Sequence, residues 1–272
     1  MTTERLPLLI EPEQLLPLLD NSGIVIVDLS KAATHQQAHI PGAHFLDYDQ
    51  IVTAEKPVMG LLPDSQTLEK ILSRHGITNE KHIVAYDDEG GGKAARLLWT
   101  LECMGHSRFS LLNGGLHTWL NEGYPLTDQP TTIAPAVFSA APNNVPVADR
   151  EYILSKLKNS ATVLLDARTA DEYNGVRRFA ERGGHIPGAV HFDWVTGMDP
   201  TRNMRMHSAE RLLEELAKRG ITPDKEVITY CHTHHRSSYS YMMLKILGFK
   251  QIKGYPGSWS DWGNRQDTPI ET

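Results

Sequence analysis

Four short runs of apolar, mostly β-branched residues punctuate the chain, at 24–27, 83–86, 163–165 and 227–230. Each ends abruptly in polar residues, as strands buried on both faces do. Between the members of each pair the period changes. Residues 65–75 and 208–219 carry their apolar positions on one helical stripe. In the second of these Ser208 stands at the N-cap, Leu212, Leu213 and Leu216 line the stripe, and Gly220 follows the end. Alternating strands and helices predict a parallel sheet covered by helices on both faces. Ligands of such sheets collect beyond the carboxyl ends of the strands, which directs attention to the residues after Tyr86 and Tyr230.

The order of elements occurs twice. His39-Ile40-Pro41-Gly42-Ala43 returns unchanged, 146 residues later, as His185-Ile186-Pro187-Gly188-Ala189. IVIVD at 24–28 answers TVLLD at 162–166, HGIT at 75–78 answers RGIT at 219–222, and IVAY at 83–86 answers VITY at 227–230. The chain reads as a duplication. Residues 125–147, with five prolines and no helical period, read as an extended linker. The expected division is therefore a first domain at 1–124, a linker at 125–147 and a second domain at 148–272.

Composition narrows the function. The 272 residues suit two domains of ordinary size, and 40% hydrophobic with 22% charged residues describes a common globular protein. A net charge of −6 argues against nucleic-acid binding as the main activity. No apolar run approaches the roughly 18–20 residues that span a membrane. The amino-terminal segment is broken by Glu11, Glu13 and three prolines, unlike a targeting signal, so a cytoplasmic protein is expected. Two cysteines, Cys103 and Cys231, are too few for a disulfide scaffold and point to a reducing compartment or to thiol chemistry. Residues 1–145 carry a net −8 and residues 146–272 a net +2, which favours the second half for an anionic substrate.

The chemistry converges on Cys231-His232-Thr233-His234-His235-Arg236, between a strand and a helical pattern. A thiol at a helix amino terminus meets backbone N–H groups and the positive end of the dipole, which favour the thiolate. Arg236 can return to the mouth of the loop as a forked cation for an oxyanion. Cys103 lies in an apolar helical pattern and reads as a space-filling core residue. His39 and His185 belong to turns before Pro-Gly and read as backbone-bonding residues. A metal site at Cys231, His232, His234 and His235 is disfavoured, because consecutive residues of a tight turn cannot converge tetrahedrally. A cysteine phosphatase also cradles a thiolate with an arginine, but its loop is one residue longer.

The order IVD, HIPGA, ITYC-loop-Arg-Ser and YPGSW, present twice with a cysteine at this position only in the second copy, resembles the tandem-domain rhodanese family of thiosulfate:cyanide sulfurtransferases. The resemblance covers nearly the whole chain. It implies two tandem rhodanese-like domains, each a small parallel sheet flanked by helices. The first, with Asp87 at the cysteine position, is expected to be inactive and to shape a cleft. It also implies that Cys231 carries a persulfide taken from thiosulfate and passed to cyanide or another thiophile, with no separate cofactor. The amides of His232, Thr233, His234, His235 and Arg236 are implied to stabilise that persulfide, Arg236 and Arg168 to bind the donor, Asp166 to order the backbone, and Trp194 to wall the site. The loop resembles a bacterial type ending Thr-His-His-Arg, and lacks the two basic residues that follow the cysteine in mitochondrial thiosulfate enzymes. A mercaptopyruvate sulfurtransferase and a persulfide sulfur carrier that docks protein donors or acceptors are the alternatives. Small sulfur donors and acceptors are the expected partners, with no nucleic acid or membrane, and a monomer suffices.

Overall fold

The computed structural model describes residues 6–272; the first five residues of the amino-terminal segment lie outside the described residues. The chain divides into two compact units. The first comprises the chain through Ile51, Pro63–Asn143 and Met198–Met206, and the second Val52–Leu62, Asn144–Gly197 and His207–Thr272. Each half of the sequence thus lends a short segment to the other's unit, an exchange that the duplication by itself does not announce.

The first half supplies strands β1 (Leu9–Ile10), β2 (Ile24–Asp28), β3 (His44–Phe45), β4 (Thr53–Glu55), β5 (Val58–Leu61), β6 (His82–Tyr86) and β7 (Phe109–Leu112). The second supplies β8 (Thr162–Asp166), β9 (Val190–His191), β10 (Met198–Asp199), β11 (Arg205–Met206), β12 (Glu226–Tyr230) and β13 (Ile252–Gly254). In the first unit β1-β7-β6-β2-β3 form a parallel sheet, and in the second β13-β12-β8-β9 form its shorter counterpart. β4 and β5 pair as an antiparallel hairpin in the second unit, and β10 and β11 as one in the first. This is the α/β architecture that the strand–helix alternation predicts.

Central strands β2, β6, β8 and β12 are buried nearly throughout, which is why their sequences are continuous apolar runs and not alternating ones. Ile26, Val84, Tyr86 and Trp119 meet in the first core, and Leu164, Ile228, Trp259 and Trp262 in the second. Each such side chain contributes about 1.5–3 kcal/mol of burial. The helix Ser65–Arg74 is capped by Asp64, whose carboxylate accepts the Thr67 amide at 2.9 Å, and buries Leu68, Ile71 and Leu72. Ala209–Ala217 starts after Ser208, buries Leu212 and Leu216, and leaves Leu213 half-buried.

The repeated HIPGA box has a repeated task. Tyr86 ends β6 opposite Asp28 and Tyr230 ends β12 opposite Asp166. The Tyr86 hydroxyl donates to Asp28 at 2.8 Å and accepts the Ile40 amide at 3.2 Å, and the Tyr230 hydroxyl accepts the Ile186 amide at 3.2 Å. His39 and His185 bond the carbonyls of His35 and Tyr173. Each box therefore pins a loop to the strand end beside which a ligand would sit. Residues 125–143 run without helix along the first unit, donating from Ala136 to the Ser73 carbonyl and from Ala141 to that of Met104.

Candidate active site

Strand β12 ends at Tyr230, the loop Cys231–His235 follows, and the helix Arg236–Ile246 begins. The Cys231 thiol is 1% exposed. Burial alone raises a thiol pKa, yet here it is outweighed. The Arg236 charge, the Ser237 hydroxyl and the amides of Ser237 and Thr233 all act on the sulfur, and its pKa lies below that of an ordinary cysteine. Cys103 shows the opposite balance: buried in the helix Gly92–Cys103 with Glu102 beside it, it is pushed well up.

The loop keeps its shape through a segment the sequence marked only as YPGSW. The Ser258 hydroxyl accepts the amides of Cys231 at 3.2 Å and His234 at 3.1 Å while donating to the Tyr255 carbonyl at 2.7 Å. The amides of Trp259 and Ser260 donate to the carbonyls of Cys231 and His232, both at 3.0 Å. His234 takes a left-handed conformation with φ of 52°, and its imidazole Nδ1 lies 2.8 Å from the Ser237 hydroxyl. Of the five amides expected to face the persulfide, that of Thr233 acts on the sulfur to lower its pKa. The amide of His234 donates to Ser258, and the amide of Ser237 acts on the sulfur as well.

The β4–β5 hairpin closes on the same loop. Gly60 has a φ of 73°, and a Cβ there would lie 2.1 Å from the Thr233 carbonyl oxygen, so only glycine fits. The Met59 amide donates to the Ser260 hydroxyl at 2.9 Å.

The two arginines differ in what holds them. Arg236 donates from both terminal nitrogens to one carboxylate, Glu172, at 2.6 and 2.8 Å. Glu172, buried beside Thr169 in a capping box, is held down to about 2: burial opposes ionisation, and Arg236 and then Thr169 overcome it. Arg168 is committed elsewhere. It is 2% exposed, gives Nε and a terminal nitrogen to Asp166, gives a further bond to the Gly184 carbonyl, and lies over the Trp259 ring at 4.4 Å. Its Nε and one terminal nitrogen are thus engaged within the fold, at the residue expected to bind the donor. Asp166 meanwhile receives the Arg168 amide, which orders the strand end.

Trp194 is half-buried, 6.1 Å from the His235 ring and edge-on to Tyr239 at 5.9 Å, so it borders the loop. Phe179, exposed, lies 5.7 Å from the His232 ring. His232 is held neutral, first by burial and then by the Arg236 and Arg168 charges, against the pull of Glu172. Among the described residues no three His, Cys, Asp or Glu side chains converge as a metal site.

The first unit repeats the cradle with a different occupant. Asp87 follows β6 where Cys231 follows β12, and its carboxylate accepts the amides of Gly91 at 2.7 Å, Ala94 at 2.9 Å and Glu89 at 3.0 Å. A carboxyl group fills the place of the thiol. Around the expected residues Cys231, Arg236 and Trp194 the structure adds Glu172, Ser237, Ser258 and Gly60, which the sequence did not single out. Ser258 carried a signal inside YPGSW, and Ser237 one as the serine after Arg236.

Comparison with known proteins agrees with this geometry. A family model described as a rhodanese-like domain matches twice, at residues 11–122 and 149–265. A thiosulfate sulfurtransferase of Azotobacter vinelandii is 44% identical over 268 residues, covering 98% of this chain and 97% of its own. A sulfur carrier protein, TtuD, of Thermus thermophilus is 33% identical over 249 residues, covering 87% of this chain and 86% of its own. Among solved structures, an anaerobic ergothioneine biosynthesis enzyme from Chlorobium limicola superposes with a TM-score of 0.81 at 23% identity, over 93% of this chain. This chain spans 65% of that one, and the likeness is one of fold. No helix among the described residues is long and apolar enough to cross a membrane.

Proposed function

The chain belongs to the rhodanese family, and from that premise we propose that it is a thiosulfate sulfurtransferase working through a persulfide on Cys231. One observation carries the assignment. The buried Cys231 thiol stands between the end of β12 and the helix that opens at Arg236, in a loop held by Ser258, a place whose helix terminus and arginine stabilise a thiolate and equally a persulfide anion. The name of the Azotobacter relative, at 44% identity over nearly the full chain, supports thiosulfate as donor.

The reaction is a double displacement without net redox change. The Cys231 thiolate attacks the outer sulfur of thiosulfate, the S–S bond of the donor breaks, and sulfite leaves with the bonding pair. The persulfide anion left on Cys231 rests on the amides of Thr233 and Ser237 and the Ser237 hydroxyl. Cyanide or another thiophile then attacks the terminal sulfur, and the thiolate is restored. The resemblance assigns Arg236 to the donor side, and Trp194, beside His235 and Tyr239, to the wall of the site. The covalent persulfide takes the part of a cofactor. Asp87 offers no nucleophilic sulfur, and the first unit is assigned no chemistry. Two free, buried cysteines suit a reducing compartment, which supports the cytoplasm as its site of action.

The sulfur-carrier reading also has support, in the name of the Thermus relative and in the partly neutralised Arg236, which weakens the pull on a small anion. Mass spectrometry after thiosulfate treatment is expected to show one added sulfur on Cys231. A Cys231→Ser variant making thiocyanate at the wild-type rate would refute the mechanism, and a persulfide that forms only from a protein donor would favour the carrier.

A further inference from the structure

We infer that Glu172 is the positioning and specificity residue of this site: by pairing with Arg236 it offsets part of the charge that would draw a small anionic donor to Cys231. The inference deepens the proposed function and rests on Cys231 being the nucleophile.

Both Glu172 oxygens are engaged by the two terminal nitrogens of Arg236, and the carboxylate is anchored behind by the Thr169 hydroxyl at 3.0 Å and the Thr169 amide at 3.3 Å. Glu172 is 3% exposed, so water does little to screen the pair. Of the neighbouring charges, Arg177 lies farther out, over the Phe179 ring. Arg168 is paired with Asp166, His232 is held neutral, and Asp193 adds a carboxyl whose pKa is raised, by burial first. A thiosulfate dianion approaching a thiolate therefore meets an Arg236 whose charge is already partly offset. Such a site takes sulfur readily from a donor whose reacting end carries little charge, and takes thiosulfate at a cost in affinity.

Two roles for Glu172 can be separated. A merely structural clamp would lower kcat when lost. A charge-setting clamp shifts selectivity between anionic and neutral reagents of one shape. The probe is the ratio of Cys231 alkylation rates with iodoacetate and iodoacetamide, followed by mass spectrometry. Because both reagents react with the same thiolate, the ratio cancels changes in thiol pKa and reads local charge. Glu172→Gln is expected to raise this ratio, and to lower the thiosulfate KM with kcat little changed, each on the order of tenfold. Glu172→Asp, which keeps the charge, is expected to keep the wild-type ratio.

Arg236→Gln should lower the ratio, and the double variant Glu172→Gln/Arg236→Gln should return it to wild type. That comparison reads the Glu172 charge even if Glu172→Gln alone folds poorly. An unchanged ratio in Glu172→Gln, or a double variant no different from Arg236→Gln alone, would overturn the inference. Alkylation is read whether or not thiosulfate is a donor, so a failed function and a failed inference give different results.

Discussion

The carboxyl group built into the first unit offers a quantitative test of the cradle itself. Replacing Asp87 by Ala removes a carboxylate that is 0% exposed and accepts three backbone amides at 2.7–3.0 Å. Charge-assisted hydrogen bonds are worth about 1.5–3 kcal/mol each, so the gross loss is on the order of 6 kcal/mol. Burying the charge returns part of this. Burial and the Glu89 charge raise the Asp87 pKa despite the amides of Ala94, Glu89 and Gly91. A net cost of about 3 kcal/mol follows, or roughly 10 °C in the melting of that unit. The sign of the pH dependence is fixed by the raised pKa. The folded state keeps the proton longer than the unfolded chain, so the stabilisation by Asp87 is greatest below its ordinary pKa of 3.8 and shrinks as pH rises through the raised one. The penalty of Asp87→Ala should therefore be larger near pH 4 than near pH 8.

The variant leaves a carboxylate-sized hollow lined by N–H groups, and formate should bind there. Calorimetry with and without ~100 mM formate, combined with hydrogen exchange at Glu89, Gly91 and Ala94, measures both effects. Formate is expected to raise the melting temperature of the variant and slow those three amides while leaving wild type unmoved. A variant as stable as wild type, or one on which formate has no selective effect, would refute the idea that Asp87 substitutes for the bound anion.

Three further outcomes follow from the second unit. Gly60→Ala would drive a Cβ to 2.1 Å from the Thr233 carbonyl oxygen, and kcat should fall at least tenfold with the unit still folded by circular dichroism. Ser258→Ala strips the shared acceptor from the Cys231 and His234 amides; a loss of about 2 kcal/mol in chemical denaturation and a rise in the Cys231 pKa, read from alkylation against pH, are expected. Glu172 is held at about 2 against an ordinary 4.5, so its pair contributes on the order of 3 kcal/mol above pH 4.5, which is lost as pH falls toward 2. Urea denaturation between pH 5 and pH 3 should therefore show wild type losing about 2 kcal/mol that Glu172→Gln does not lose.

Much of this protein was legible in one dimension. Continuous apolar runs announced the central strands, because a parallel strand covered on both faces has no polar side to alternate with. The internal repeat announced two units, and a lone thiol between a strand and a helix announced the nucleophile. The pairing of Arg168 was not legible there. An arginine two residues past a strand end looks the same in sequence whether its partner is a ligand or Asp166, and here Asp166 lies within reach of Nε and a terminal nitrogen.

Glu172 escaped for the converse reason. Nothing in Ala170-Asp171-Glu172 distinguishes a carboxylate that caps a helix from one that clamps Arg236, 64 residues away, and this residue does both. The exchange of hairpins between units and the service of Ser258 and Gly60 to the cysteine loop were likewise decided in three dimensions. Sequence fixes periodicity and residue chemistry, which are local. Which donor meets which acceptor depends on chain segments brought together only once the cores have packed, and in this protein that packing decides the charge around Cys231.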